Sequence, residues 1–202
     1  APLTKYAVTV MEPTEIRCVL EKAHYLAIHG RRGPVWIDIP LDVQVAEIDP
    51  ESLRPYVPEP SAPTANMDEM AEIAAMLAAA KRPVILAGTG VMLAGARDSF
   101  VQMVNELRIP TVTSRRARRL FHRGNDRYFY GSAGMVAPRY ANYVLQNADF
   151  LLVIGSGLRY YLTAYNEENF APHAKKVIVN IHAPETEKLR MTVEKAVTMD
   201  AG

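Results

Sequence analysis

From about Asn66 onward, short unbroken apolar runs alternate with stretches in which apolar residues recur every three or four positions. The unbroken runs are Pro83–Ala87, Ile109–Thr113, Phe150–Ile154 and Val177–Ile181, with Ala196–Met199 as a last candidate. The periodic stretches predict helices: one with a stripe of Met67, Met70, Ala71, Ala74, Leu77 and Ala78, a second carrying Ala96, Phe100, Met103, Val104 and Leu107, and a third from about Pro138 to Gln146. Between Ser114 and about Gly131 the pattern lapses into a long polar loop. Strands that are apolar throughout must be covered on both faces, so their alternation with helices predicts an α/β fold, a doubly wound parallel sheet with helices on both faces.

The chain ahead of this rhythm reads differently. Glu12-Pro13-Thr14-Glu15 offers a helix start, Ile16, Val19, Leu20, Ala23 and Ala27 follow at helical spacing, and Gly30 and Gly33 end the helix. Pro34 to Pro40 is a short strand bounded by prolines. One helix and one strand cannot bury both of their apolar faces, so this partial α/β unit needs further partners. Pro50, Pro55, Pro58, Pro60 and Pro63 then break any sustained helix, which predicts an extended linker. The domain organisation expected is a partial unit over 1–45, a linker over 46–65 and a full domain over 66–202.

Composition narrows the function classes. The 202 residues are 49% hydrophobic and carry a formal net charge of +1, so a sizeable core forms and global charge names no partner. No run is apolar enough to span a bilayer, the first residues lack the apolar core of a secretion signal, and the single cysteine excludes an internal disulfide framework. The expectation is a cytoplasmic protein without a membrane partner.

In such a sheet, ligands bind at the carboxyl ends of the strands. Gly88-Thr89-Gly90 follows one strand, with Gly95 opening the next helix, and Gly155-Ser156-Gly157 follows another. Glycines there let backbone N–H groups approach a phosphate, although the same residues serve simple tight turns. Arg115, Arg116, Arg118 and Arg119, joined by Arg123, form a basic cluster past a strand end. It could clamp a pyrophosphate or be a solvated loop; without aromatic interleaving, nucleic acid is not expected as a partner. Tyr160, Tyr161 and Tyr165 form an aromatic run suited to stacking on a ring or to packing. His24, His29, His122, His173 and His182 show no metal-ligand spacing, and Cys18 sits beside Val19 and Leu20 as a core thiol. Residue by residue, the reading ends at a nucleotide-sized site with no catalytic group and no metal ligands.

Several stretches together resemble thiamine-diphosphate-dependent enzymes of the acetolactate synthase large subunit type. Gly33-Pro34-Val35-Trp36-Ile37-Asp38-Ile39-Pro40-Leu41-Asp42-Val43-Gln44 resembles the close of that family's pyrimidine-binding domain. Arg82-Pro83-Val84-Ile85-Leu86-Ala87-Gly88-Thr89-Gly90-Val91 resembles the opening of its central domain. Gly134-Met135, Ala141-Asn142, Gln146-Asn147-Ala148-Asp149 and Phe170 to Lys176 continue the likeness, and Asp200-Ala201 falls where the central domain ends.

The resemblance implies a three-domain enzyme, dimeric or tetrameric, that decarboxylates a 2-oxo acid such as pyruvate. It would use thiamine diphosphate and Mg²⁺ bound by regions outside this chain. It also implies flavin adenine dinucleotide (FAD) in the central domain, with Gly88, Thr89, Gly90, Ser114, Arg115, Gly134, Met135, Gly155, Ser156, Asn180, Ile181 and Asp200 as its cofactor-binding residues. The sequence departs from the family pattern at Gly157, where an arginine is expected, at Asn180, where an acid is expected, and at Val136, where a histidine is expected. The alternatives are a free-standing module binding FAD, ADP or NAD, and an interaction domain without a ligand.

Overall fold

A computed structural model describes residues 3–58, 66–121 and 126–202. The chain divides into two compact units, Ala1–Ala62 and Pro63–Gly202. The second is the doubly wound domain that the apolar runs predict. Its strands are β3 (Pro83–Ala87), β4 (Thr111–Thr113), β5 (Phe129–Ser132), β6 (Phe150–Ile154), β7 (Lys175–Asn180) and β8 (Lys195–Thr198), all parallel, in the spatial order β5-β4-β3-β6-β7-β8. Renumbered from its own first strand, that order is 3-2-1-4-5-6, the winding of dinucleotide-binding folds, with the topological switch point between β3 and β6.

Alternation along the apolar strands sends successive side chains to opposite faces. Ile85, Ala87, Phe150, Leu152, Val177 and Val179 enter one buried cluster, together with Phe100 and Val104 of helix α5 (Arg97–Leu107) and Ile73 of helix α3 (Met67–Ala79). Val84, Leu86, Leu151, Val153 and Ile178 enter the other, with Ala141 and Leu145 of helix α6 (Arg139–Gln146). The α3 stripe is rotated from the one the sequence predicts. Ile73 is buried and Met70, Met76 and Leu77 pack beside it, whereas Ala71, Ala74 and Ala78 face outward, because the larger side chains gain more from leaving water.

Two further differences arise where elements are short. Thr89–Leu93 after β3 is a separate helix, α4, and Gly95, with φ of 72°, turns the chain between it and α5. The stretch predicted as one polar loop holds a 3-10 helix, Arg115–Leu120, whose Ala117 and Leu120 are fully buried, and the edge strand β5. His122 and Arg123 lie outside the described residues. Short helices α7 (Tyr160–Thr163) and α8 (Ala183–Glu187) complete the unit.

The first unit is a strand, a helix and a strand, where the sequence predicts only the last two. Strands β1 (Tyr6–Thr9) and β2 (Val35–Asp38) pair in parallel as a sheet of their own, joined by helix α1 (Ile16–Ile28). Tyr6, Val8, Val35 and Ile37 are part-covered, while Ala7, Thr9, Trp36 and Asp38 on the other face are exposed, Trp36 at 65%. The chain beyond β2 is partly ordered against this unit. Helix α2 (Leu41–Gln44) and a 3-10 turn at Pro50–Ser52 lead to Tyr56, whose N–H donates to Glu21 Oε2 at 2.8 Å, and Arg17 Nη1 donates to the Leu53 carbonyl at 3.3 Å. The N–H of Tyr56 and the Arg17 guanidinium hold the Glu21 carboxyl below the usual carboxylate range. The expected extended path over 46–65 thus gives way to a docked segment as far as Tyr56, and residues 59–65 lie outside the described ones. Cys18 is only partly buried, with its neighbour Leu20 exposed.

Candidate functional site

The carboxyl edge of the six-stranded sheet gathers the predicted cofactor-binding residues. Gly88 caps α4, whose first residues are Thr89 and Gly90; Ser114 and Arg115 follow β4; Gly134 and Met135 follow β5; Gly155 and Ser156 follow β6. Asn180 ends β7, Ile181 comes next, and Asp200 lies beyond β8. They share an edge, but only some of them touch.

At the switch point the two glycine turns press backbone on backbone. The Gly88 N–H donates to the Ile154 carbonyl at 2.8 Å, and the Gly90 N–H to the Gly155 carbonyl at 2.9 Å. A Cβ on Gly88 would sit 2.1 Å from the Gly155 oxygen, and one on Gly90 2.5 Å from the Gly155 Cα. Gly155 itself has φ of 62° and donates its N–H to Val179 at 2.9 Å. Glycine is needed at these positions for close approach of one main chain to another.

The β5 end is held in another way. Gly134, with φ of 126°, is gripped on both sides by the Asn142 amide, which accepts from its N–H and donates to its carbonyl, each at 2.9 Å. The Met135 N–H donates to the Tyr161 carbonyl at 2.8 Å, so the loop after β6 reaches over to β5. Ser114 N–H donates to Ala87 at 2.9 Å, and Arg115 is exposed. Asp200 accepts from the Gly202 N–H at 2.8 Å.

A residue that sequence reasoning missed lies at the β7 end. Glu185, in the first turn of α8, accepts from Asn180 Nδ2 and from Arg159 Nη2, both at 3.3 Å. Its carboxylate covers Gly157: a Cβ there would meet Glu185 Oε2 at 2.6 Å. An acid following a strand and a proline marks a helix start, and that was the only signal available. The exposed Tyr160 and Tyr165 rings stack at 5.7 Å beside a cleft of about 440 Å³, also lined by Asn166, Glu167, Lys188 and Arg190. The Tyr161 hydroxyl, hydrogen-bonded to Tyr165, pushes the latter's phenol above its ordinary pKa. None of the predicted cofactor residues lines this cleft. Among the described residues, no group of three His, Cys, Asp or Glu side chains is placed to hold a metal ion, and no helix is long and apolar enough to cross a membrane.

The glycine turns of this edge do not form a cradle for the diphosphate of FAD. A phosphate cradle needs free backbone N–H groups. Those of Gly88, Gly90, Ser114, Gly134, Met135 and Gly155 are all spent within the protein. The arginine expected at 157 is a glycine under a carboxylate.

Comparison with known proteins agrees with the fold. The family described as thiamine pyrophosphate enzyme, central domain, matches residues 70–202. The acetolactate synthase isozyme 1 large subunit of Escherichia coli is 35% identical over 190 residues, covering 94% of this chain and 33% of that protein. The acetolactate synthase large subunit of Corynebacterium glutamicum is 35% identical over 204 residues, covering 99% and 32%. A probable acetolactate synthase large subunit of Methanocaldococcus jannaschii is 32% identical over 195 residues, covering 93% and 32%. The chain spans about a third of the length of these relatives. With its parallel sheet wound about the β3–β6 switch point and this match over most of its length, the chain belongs to the family of thiamine pyrophosphate enzyme central domains.

Proposed function

We propose that this chain supplies the central domain, and the end of the pyrimidine-binding domain ahead of it, to an enzyme that decarboxylates a 2-oxo acid and passes the two-carbon unit to an acceptor. Pyruvate is the substrate first tested. Thiamine diphosphate with Mg²⁺ supplies the chemistry from regions outside these residues, in a homodimer or homotetramer. The observation that carries the reading is the first unit. Its likeness to the relatives continues ahead of the central domain, so that 94% to 99% of the chain is covered. Its parallel strand pair leaves one face open, with Trp36 exposed, although parallel sheets are ordinarily covered on both faces. Within this enzyme the central domain is architecture: its strand-end glycines and Asn142 fix the carboxyl edge of the sheet, and none of its residues is assigned a chemical step.

The test is a polypeptide extended at both ends to the length of the relatives, assayed with pyruvate, thiamine diphosphate and Mg²⁺. Release of CO₂ with formation of a carboligation product is expected. A folded extended protein that neither binds thiamine diphosphate nor consumes any 2-oxo acid overturns the proposal. The strand order favours a second reading, a nucleotide module acting by itself. That reading requires the 202-residue chain to bind FAD, ADP or NAD tightly in a titration.

A further inference from the structure

We infer that the strand-end crevice of this domain is closed to dinucleotides, and that Glu185, paired in space with Gly157, is the residue that sets this specificity. Two independent observations carry it. First, the glycine turns at the switch point face each other rather than a ligand. Gly88, Gly90 and Gly155 donate their N–H groups to Ile154, Gly155 and Val179, at 2.8 to 2.9 Å. Those three donors are therefore already used before a diphosphate could enter between β3 and β6.

Second, the next turn along the edge carries a negative charge. The side chain of Glu185 is 21% exposed, and its carboxylate holds both Asn180 Nδ2 and the Arg159 guanidinium at 3.3 Å. Asn180 and Arg159 are the polar and cationic groups of this place, and Glu185 engages both, Arg159 through one guanidinium nitrogen. Gly157 and Glu185 form a matched pair: the three atoms nearest to a Cβ at 157 all belong to Glu185, the closest at 2.6 Å. The Gly157 backbone lies outside the left-handed region, so the Glu185 carboxylate, not backbone strain, is what a side chain there would meet. A side chain at 157 therefore requires the Glu185 carboxylate to leave the place it holds here. This chain has the acid.

The experiment measures binding of FAD and of ADP to the purified 202-residue chain, by flavin fluorescence and by melting temperature. The wild type is expected to carry no flavin and to show no shift with either nucleotide. Glu185→Gln keeps the shape, removes the charge and frees Arg159; it should gain measurable affinity for both probes, tighter by about tenfold or more, the scale of one charge-assisted contact. Glu185→Ala combined with Gly157→Arg should bind more tightly still. Glu187→Gln, on the same short helix, should behave as wild type. Stoichiometric FAD on the wild type overturns the inference. So do Glu185 variants that melt cooperatively yet remain as blind to both nucleotides as the wild type. These readouts involve neither pyruvate nor thiamine diphosphate, so failure of the proposed activity and failure of this inference are distinguishable.

Discussion

The two ends of the six-stranded sheet are built on opposite principles. At the carboxyl end, main chain meets main chain, and order depends on missing side chains: Gly88, Gly90 and Gly155 interlock with no room for a Cβ. At the amino end, order depends on a side chain that is present. Asp149, just before β6, receives the Lys81 and Arg82 N–H groups at 2.9 and 2.8 Å, and so fastens the turn entering β3 to its neighbour. Asn147 supports it, its carbonyl accepting from Arg82 Nε at 2.8 Å. Burial by itself would raise the Asp149 pKa, but the Arg82 and Lys81 N–H groups and the Arg82 charge outweigh it and hold the carboxyl below the usual range. The contrast implies that the glycine interlock answers to volume and the Asp149 fastening to pH.

The strongest way to break that contrast is a methyl group. Gly88→Ala would place Cβ 2.1 Å from the Gly155 oxygen, and the strands at the switch point must part to admit it. A loss of about 3 kcal/mol or more is expected in urea unfolding, the same at every pH where the protein is folded. A loss below about 1 kcal/mol would show that the turns are slack. Next in size, Asp149→Asn replaces a double acceptor with a group that presents N–H to N–H. It should lower the melting temperature by about 2–5 °C near neutrality. A carboxyl whose pKa is depressed by folding stabilises above its unfolded pKa and ceases to as pH falls through the folded one. The gap between wild type and Asp149→Asn should therefore close below about pH 4; a gap independent of pH would assign the effect to shape instead of charge.

The smallest effect has the opposite sign. Lys176 in β7 is 4% exposed, its ammonium reaches the Ala174 carbonyl at 3.4 Å, and burial lowers its pKa. Lys176→Met should stabilise by about 1 kcal/mol at neutral pH. Because folding depresses this base, the wild type regains stability as pH rises from the folded pKa towards the ordinary lysine value, so the advantage of Met should shrink in alkali. A variant less stable than wild type would mean that the ammonium contributes more than its burial costs.

How much of the fold was legible in the sequence depends on the same physics. The central strands β3, β6 and β7 are covered on both faces, so their runs are apolar throughout and readable. The four-residue strands β1 and β5 are half covered, and β5 includes Gly131 and Ser132, so each resembles loop. All the predicted cofactor residues do fall at strand ends, because the winding of an α/β sheet puts them there. Whether they hold a ligand was not legible, since it turns on where their N–H groups point and on Glu185, a residue whose meaning depends on the absent side chain of Gly157, 28 positions away in sequence but in contact in space. The resemblance located the departure at Gly157; the structure supplies the residue that answers it.

Between Leu158 and Ala171 the backbone takes left-handed values at Leu158, Ala164, Tyr165 and Ala171, with φ between 44° and 60° and no glycine among them. Each such residue disfavours the conformation it holds. Leu158 and Ala171 are kept there by burial in the second core cluster, and Tyr165 by its N–H bond to the Tyr160 carbonyl at 2.9 Å. The path of this stretch is therefore borrowed from its surroundings. Excised as a peptide it would abandon the shape, and within the protein its two buried ends, Leu158 and Ala171, are released when the neighbouring core loosens. Amide exchange across 158–171 would thus act as a gauge of the sheet beneath, registering damage at β5 or β6 before the molecule as a whole unfolds.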